Sequence, residues 1–326
     1  MLTRRTLLTT LAAAPFASAL PRAAFAAYPD KPIRLIVPFA AGGNADFVAR
    51  LCAEGMKETL GQPIVVEYRT GAGGSLGADM AAHSPPDGYT LFTGSNGPLT
   101  VNPFVQAKLG YDPLKDFVAI GLANLAPHCL VVHEAVAAKD LPELIALSKV
   151  KSVNVGTSGA GSATHMTLAR FNAATAANIT HVPYRGGGAL IPDLLSGAIT
   201  GAMTELSTAL PHVGGGRVRV LGVAWSKRSP QMADVPTMIE QGVKDFTAAS
   251  YVGILAPAAT PAEIVKTLEA ALIKALNGKD LQQKMLNSGA ELVPDDLMTA
   301  QGFAAYIKKE YDLTREAAKL AGLTPT

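Results

Sequence analysis

The sequence has little of what several common classes of protein require. Only two cysteines occur, without a paired Cys-x-x-Cys spacing, which excludes a disulfide-built scaffold and a cysteine zinc site. Charged residues make up 17% and balance to a net charge of +2, so the chain lacks the positive field that attracts nucleic acids or anionic membranes. Aromatic residues are scarce at 6%, whereas apolar residues reach 48%; this composition is typical of a globular α/β protein.

Motifs of enzymes and metal sites are also missing or incomplete. None of the six histidines forms His-Glu-x-x-His, and there is no P-loop. Gly73–Gly77 matches the Gly-x-Ser-x-Gly elbow of serine hydrolases, but such a match arises easily in a glycine-rich loop. We therefore predict no catalytic residues, no metal and no cofactor. His165 and His181 lie near candidate binding loops, either as ligand contacts or as structural residues.

Long apolar runs are confined to the N-terminus. Leu7–Leu20 is apolar but shorter than the ~20 residues that span a bilayer. Arg4 and Arg5 precede it, and Ala24-Phe25-Ala26 supplies a small-x-small cleavage site. Residues 1–26 are thus predicted to be a signal peptide cut after Ala26, read either as an ordinary secretory signal or as a twin-arginine signal.

The mature chain is predicted to be free in the periplasm, because no cysteine follows the cleavage site to carry a lipid. Removing Arg4, Arg5 and Arg22 changes the net charge from +2 to −1, since the leader has no acidic residue. Cys52 and Cys129 remain, either as two small buried apolar residues or as a single disulfide.

Strand and helix patterns alternate along the mature chain, which is typical of parallel sheets wound with helices. Residues 126–246 form a complete unit of this kind, inserted into another made of 28–125 plus 247–326. We expect an α/β fold of two doubly wound domains joined by a hinge, with a ligand cleft between them. The predicted strands are 33–37, 64–68, 89–93, 117–124, 130–133, 153–156, 180–182, 218–224 and 251–256.

Three loops share one design, in which an extended run leads through glycine and small polar residues into a helix. They are residues 38–46, 69–75 and 156–162. Glycine allows a ligand to approach the backbone, and free N–H groups at a helix N-terminus attract an anion. Each loop alone is equally well explained as a strand-to-helix turn, but the three together favour a site for a small carboxylate.

Several ordered blocks of the chain resemble the Bug family, the substrate-binding proteins of tripartite tricarboxylate transporters. The resemblance covers the whole mature chain. It is carried by Tyr28–Phe39 with Ala41-Gly42-Gly43, Pro85–Thr90, His181–Gly186, Ala209–Val213, Lys227–Pro230 and Leu255–Pro257.

The resemblance implies a two-lobed Venus flytrap whose cleft holds a carboxylate ligand. Both lobes would contact that ligand, mainly through backbone and hydroxyl groups, and Arg185 would contact it or close the lobes by an ion pair. The site residues that it implies are Phe39, Ala41, Gly42, Gly43, Asn44 and Asp46 in the first loop; Thr157, Ser158, Gly159, Ser162 and His165 in the second lobe; and Ser95, Asn96 and Tyr184 in the walls.

Three segments depart from the pattern usual in the family. Asn44-Ala45-Asp46 lacks a hydroxyl that the family often has there. In Ile199–Glu205, the Val-Asp and Phe-Asp pairs that are usual in the family are both changed. Glu205 either faces an amino or hydroxyl group of the ligand or shrinks the pocket. Trp225, the only tryptophan, either stacks on an aromatic ligand or packs in the core. These changes leave the ligand open among di- and tricarboxylates, acidic amino acids and aromatic acids.

The resemblance also implies partners. A monomeric receptor would deliver its ligand to the large and small membrane subunits of the transporter and would not be an enzyme. Two alternatives stay open: a periplasmic sensor component that presents the same ligand to a membrane receptor, and a periplasmic hydrolase on the same scaffold.

Overall fold

The computed structural model describes residues 28–320, so the predicted signal peptide lies outside the described part. Within that range the strands are Ile33–Val37 (β1), Ile64–Tyr68 (β2), Thr90–Ser95 (β3), Phe117–His133 (β4), Val153–Thr157 (β5), Ile179–Pro183 (β6), Gly201–Glu205 (β7), Val218–Ala224 (β8) and Ala249–Pro257 (β9). The α-helices are Asn44–Leu60 (α1), Ser75–Ala82 (α2), Asn102–Val105 (α3), Leu141–Ser148 (α4), Ala163–Thr175 (α5), Gly187–Ser196 (α6), Leu206–Val213 (α7), Ala262–Leu276 (α8), Lys279–Asn287 (α9) and Ala300–Leu320 (α10).

The strands form two mixed sheets that share β4. In the first, the order is β2-β1-β3-β9-β4, with β1 parallel to β2 and β3 and with β9 antiparallel to its neighbours. In the second, β4 lies antiparallel between β8 and β7, and β5 joins β7 to β6 in parallel. The α/β, two-lobed fold expected from the sequence is therefore confirmed.

Strand β4 passes from one sheet to the other without interruption. It pairs with β9 from Phe117 to Pro127 and with β7 and β8 from His128 onward. Two separate strands were expected here, which is wrong. Proline has no N–H for a sheet ladder and is tolerated where pairing changes, and Pro127 lies at the change of partner. The exact lobe boundaries drawn from the sequence, 125/126 and 246/247, stay predictions.

Local sequence signals explain where several helices begin and end. Helix α1 buries Val48, Cys52 and Met56 on one face and ends at Gly61, whose positive φ of 67° suits glycine. Asp140 caps α4 by accepting from the N–H of Glu143 at 2.8 Å. Helix α8 follows Pro261 and begins without a side-chain cap.

Strand β7 and helix α7 were not predicted, although β7 and the first half of α7 are buried. The stretch Gly201-Ala202-Met203-Thr204 has small residues in place of the β-branched and aromatic ones that mark strands, and Pro211 lies inside α7. Packing against β4 and β5, rather than local preference, makes this segment a strand.

The cores of the two lobes differ in construction. Lobe 1, the unit predicted at 28–125 plus 247–326, has one continuous cluster that includes Phe92, Phe117 and Tyr251. Lobe 2 is the unit predicted at 126–246. In lobe 2 the core is divided into two clusters, one with Phe171 and Phe246 and one around Leu190, Leu194 and Val223. None of the helices in residues 28–320 is both long and apolar enough to cross a membrane.

The cysteines are free and buried, one in the core of each lobe. The disulfide alternative is therefore wrong. Burial raises the pKa of the Cys52 thiol to about 12, so this thiol is inert at neutral pH.

Candidate functional site

The glycine-rich loops of the two lobes meet around a small internal cavity. Its volume is about 20 Å³ for the centre of a water-sized sphere, which is room for about one or two water molecules. The lining residues are Phe39, Gly43, Asn44, Ala45, Ser95 and Val252 with Ser250 from the lobe 1 side, and Ser158, Ser162, Ala163, Gly187 and Glu205 from the lobe 2 side.

In lobe 1, the cavity wall is the N-terminus of α1. Gly43 is the N-cap and carries no side chain that could occupy the end of the helix. The N–H of Ala45 has no acceptor among the described residues. Asp46 does not face the cavity with a free carboxylate: it accepts from Gly42 N–H at 2.8 Å, Arg50 Nε at 2.8 Å and Tyr68 OH at 2.7 Å. The end of α1 therefore offers backbone donors and a partial positive charge.

In lobe 2, the N-terminus of α5 lies across the cavity from α1. Ser162 caps α5 by accepting from the N–H of His165 at 3.2 Å. The N–H of Ala163 lacks an acceptor in the part of the chain that the structure describes. Ser158 is only 7% exposed, lines the cavity and has a side-chain oxygen without a hydrogen-bond partner among residues 28–320. A buried hydroxyl without a partner is costly unless a ligand or water completes it.

Asn44 connects the lobes directly at the edge of the cavity. Its N–H donates to Thr208 Oγ1 at 3.1 Å, and its Oδ1 accepts from Ser207 Oγ at 2.9 Å. Its amide Nδ2 donates to Asn124 Oδ1 at 3.2 Å. Arg185 also bridges the lobes through its carbonyl oxygen, which accepts from Ala40 N–H at 2.9 Å. These bonds hold the described structure closed.

Glycines allow this close contact of backbone on backbone. A Cβ added to Gly188 would overlap the carbonyl oxygen of Ala41, and one added to Gly73 would overlap that of Ala160. In both pairs the glycine and the carbonyl belong to different lobes. Side chains at these positions would keep the lobes apart.

Behind the cavity, a chain of hydrogen bonds links a buried histidine to Glu205. His128 contacts Thr167 Oγ1 through Nδ1 at 2.8 Å and Ser250 Oγ through Nε2 at 2.9 Å. Ser250 Oγ donates to Glu205 Oε1 at 2.8 Å. Burial, together with the nearby Arg170, lowers the pKa of His128 to about 3, so this imidazole is neutral at physiological pH.

Two further histidines of lobe 2, His165 and His181, lie beside the cavity rather than in its wall. The rings of His165 and His181 stack with centroids 3.9 Å apart. Nε2 of His181 lies 2.7 Å from Thr157 Oγ1. Burial and the neighbouring His165 lower the pKa of His181 to about 4, and burial also lowers the pKa of His165. The pair is neutral and supports the second-lobe loop from behind.

The residues expected at the site fall into two groups. Seven of them line the cavity: Phe39, Gly43, Asn44, Ser95, Ser158, Ser162 and Glu205. The rest do not line it, and ligand contacts by them stay predictions; they are Ala41, Gly42, Asp46, Asn96, Thr157, Gly159, His165 and Tyr184.

The residues outside the lining have structural partners. Asn96 Oδ1 accepts from Tyr251 N–H at 2.9 Å, and Tyr184 OH donates to Asp193 Oδ2 at 2.6 Å. Trp225 packs against the cluster around Leu190 and is not a lining residue. Packing therefore accounts for this tryptophan.

The site residues expected from the sequence did not include Ala45, Ala163, Gly187, Ser250 and Val252 in the wall, nor His128 behind it. Gly186-Gly187-Gly188 follows a strand and opens a helix, so it has the same design as the three loops that were recognised. Ser250 and His128 have no such local signal, because strands 122 residues apart bring them together.

The serine of the hydrolase-like motif lies elsewhere. Ser75 Oγ accepts from Asn102 Nδ2 at 2.7 Å and lies 3.4 Å from Tyr111 OH. Its partners among the described residues are thus an amide and a phenol, neither of which is a general base at neutral pH. The Gly-x-Ser-x-Gly match is a turn into α2.

The two α/β lobes share crossing strands and enclose a cavity lined by helix N-termini. This arrangement defines the class of two-lobed solute-binding proteins. Residues 48–320 match the family described as tripartite tricarboxylate transporter family receptor. This match spans most of the chain, so the protein belongs to that family.

Individual relatives agree with this membership. The chain is 34% identical over 281 residues to protein BugT of Bordetella pertussis, covering 85% of this chain and 86% of BugT. It is similar to MatC from Rhodopseudomonas palustris with bound malate, at a TM-score of 0.85, 32% identity, and coverage of 89% and 100%. It is also similar to Rpa4515 of R. palustris with adipate, at a TM-score of 0.86 and 31% identity. This match covers 92% of this chain and 100% of Rpa4515. The expected resemblance to Bug proteins is confirmed.

Proposed function

We propose that this protein is an extracytoplasmic receptor that captures a small carboxylate between its lobes and delivers it to the membrane subunits of a tripartite tricarboxylate transporter. The observation that carries the proposal is the convergence of two helix N-termini, α1 and α5, on one cavity beside the unpartnered hydroxyl of Ser158. Uncapped N–H groups and aligned helix dipoles favour an anion. The bound malate and adipate of the two structural neighbours support a carboxylate here.

Capture requires the lobes to move. A cavity with room for about one or two water molecules cannot hold a dicarboxylate, so a ligand enters a more open form and then bridges the lobes. We place the hinge where β4 changes sheets near Pro127 and where the chain returns before β9. A ligand that contacts α1 and α5 together favours the closed form, because only there does it reach both.

The buried histidine argues against the alternative of a hydrolase. Ser250 and His128 are 2.9 Å apart, which is the spacing of a nucleophile and its base. However, His128 has a pKa of about 3, far below the value near the working pH that a general base needs. Glu205 contacts the serine rather than the imidazole, so the order of a catalytic triad is not present.

The predicted signal peptide at 1–26 supports the periplasm as the site of action. Export would place the receptor where a membrane transporter collects its substrate. The predicted monomeric state and the membrane subunits as partners belong to this same proposal.

The test is calorimetric titration of mature protein, residues 27–326, with mono-, di- and tricarboxylates and with their uncharged amides. We expect one carboxylate class to bind, with thermal stabilisation of about 2.7 kcal/mol at 100 times its Kd, and the fully amidated analogue not to bind. Ser158→Ala should weaken binding by about tenfold without lowering the melting temperature, since the hydroxyl has no protein partner. Ser196→Ala, an exposed hydroxyl on α6, is the matched control. Equal binding of a carboxylate and its fully amidated analogue would contradict the proposal.

A further inference from the structure

The side chains of the cavity wall include an acidic group but no basic one. Of the lining residues, Glu205 is the one with an ionisable side chain, and none is a lysine, arginine or histidine. Glu205 lies at the end of β7 and is 8% exposed. No salt bridge within residues 28–320 includes it. A buried carboxylate without a counter-ion has a strong need for donors.

The described residues supply only some of the hydrogen-bond donors that the Glu205 carboxylate can accept. Glu205 Oε1 accepts from Ser250 Oγ at 2.8 Å, which is a good hydrogen bond. Glu205 Oε2 accepts from the neighbouring Thr204 hydroxyl at 3.3 Å, which is a long one. An ionised carboxylate has about four acceptor positions, so Glu205 retains capacity for donors from the cavity.

The hydrogen-bond chain behind Glu205 can direct its donors toward this side chain. If Glu205 is a carboxylate, the single proton of Ser250 points to Oε1. His128 must then donate Nε2–H to Ser250 and accept at Nδ1 from Thr167. Thr167 has one proton and also contacts the Ala163 carbonyl at 3.0 Å, so this arrangement turns that proton toward the imidazole. Every donor in the chain is then directed toward the acid.

We propose that Glu205 selects a ligand with two unlike ends: a carboxylate for the N-termini of α1 and α5, and a hydroxyl, ammonium or amide donor for Glu205. This inference rests on the proposed function and narrows its ligand class. When the lobes close on a ligand, a second ligand carboxylate beside Glu205 would meet its charge with no cation among the lining residues to offset it. Symmetrical dicarboxylates are therefore disfavoured relative to their half-amides, hydroxy acids and amino acids.

The experiment compares matched pairs in which only one end of the ligand changes. Wild-type protein is titrated calorimetrically at pH 7.5 with malonate and malonamate, succinate and succinamate, and glutarate and glutaramate, followed by the ω-hydroxy and ω-amino acids of the same lengths. At the chain length that fits best, we expect the half-amide or another donor-bearing acid to bind at least about tenfold more tightly than the diacid.

Glu205→Gln is the diagnostic variant, because it removes the charge with little change of shape. We expect it to lose this preference and to bind the diacid at least as well as the half-amide. Glu263→Gln, on the exposed surface of α8, is the matched control and should keep the wild-type ranking. Melting curves of both variants check folding, and the wild-type pairs decide the question even if Glu205→Gln does not fold.

The outcomes separate the two proposals. Preference for the diacid in the wild type, or the same ranking in Glu205→Gln as in the wild type, would overturn the selection by Glu205 while leaving the carboxylate receptor intact. Binding of no acid in any series would overturn the proposed function and this inference together. A donor preference that disappears in Glu205→Gln supports both.

Discussion

The two lobes contribute different things to the shared cavity. Lobe 1 offers a helix N-terminus together with the side chains of Asn44, Ser95 and Ser250, held by one continuous core. Lobe 2 offers a second N-terminus together with the hydroxyls of Ser158 and Ser162 and the acid of Glu205, over a core divided into two clusters. Under the functions proposed above, the helix N-termini of both lobes bind the ligand carboxylate, whereas Glu205 of lobe 2 distinguishes one ligand from another.

The largest expected effect comes from preventing the two lobes from meeting. In Gly188→Ala, the added Cβ would overlap the carbonyl of Ala41, so the lobes stay apart and each N-terminus faces water alone. We expect ligand affinity to fall by at least about 100-fold, because closure and ligand bridging are lost together. The measurement is calorimetry, with the radius of gyration from solution scattering as a readout of closure.

Gly214→Ala is the matched control for this change. Gly214 has helical φ and ψ of −62° and −16°, and no atom lies within 4 Å of the position of its Cβ. Its substitution should leave affinity and scattering as in the wild type. If Gly188→Ala bound ligand normally, closure through the glycine contact would not be part of capture.

The second effect concerns the free energy of unfolding at low pH, which we expect to fall through a residue of lobe 2, His128. The pKa of His128 is about 3 in the folded protein, against 6.5 as the ordinary value. The unfolded chain therefore binds more protons between pH 6.5 and 3, and stability falls as the pH falls through that window. His128 alone should cost about 2 kcal/mol of unfolding free energy between pH 7.5 and 5. Denaturant unfolding at the two pH values measures this loss.

His128→Gln should remove that part of the pH dependence while lowering stability at pH 7.5, since its contacts with Thr167 and Ser250 change. His83→Gln is the control, because His83 is an exposed residue of lobe 1. An identical loss between pH 7.5 and 5 in His128→Gln and the wild type would show that the acid sensitivity lies elsewhere.

Local patterns in the sequence were sufficient for most of lobe 1. The alternation of buried strand and amphipathic helix in β1, α1 and β2 depends on neighbouring residues, and the structure has both strands at the predicted residues, 33–37 and 64–68. The glycine-rich loop before α1 was recognisable for the same reason. Family resemblance added the assignment of this loop to a site, which composition alone left open.

Lobe 2 was harder to predict, because its elements depend on contacts between distant residues. Strand β7 has little local preference for a strand and is formed by pairing with β4 and β5. The bond between His128 and Ser250 joins two crossing strands, and no spacing in the sequence marks it. Glu205 was identified only as a departure from a family pattern, and its partners emerge from the fold.

A smaller effect is expected from a single bond between the lobes. Ser207→Ala removes the hydrogen bond from Ser207 Oγ to Asn44 Oδ1, which is 2.9 Å long, and leaves Thr208 bound to the Asn44 N–H. One such bond contributes about 0.5–1.5 kcal/mol, so we expect ligand affinity to fall by up to about tenfold. Calorimetry checks this, with Ser196→Ala as the control. A loss as large as that of Gly188→Ala would mean that Ser207 contacts the ligand itself.

The smallest effect is expected where the lobes meet at the solvent-exposed surface. Lys227 Nζ lies 3.2 Å from Glu291 Oε2, and the lysine side chain is 64% exposed. Exposed ion pairs contribute about 0–1 kcal/mol and are screened by salt. Lys227→Ala should therefore change affinity less than about fivefold at low ionic strength and not measurably at 0.5 M salt. A large loss that persisted in high salt would show that surface charge, and not the backbone contact at Gly188, holds the lobes together.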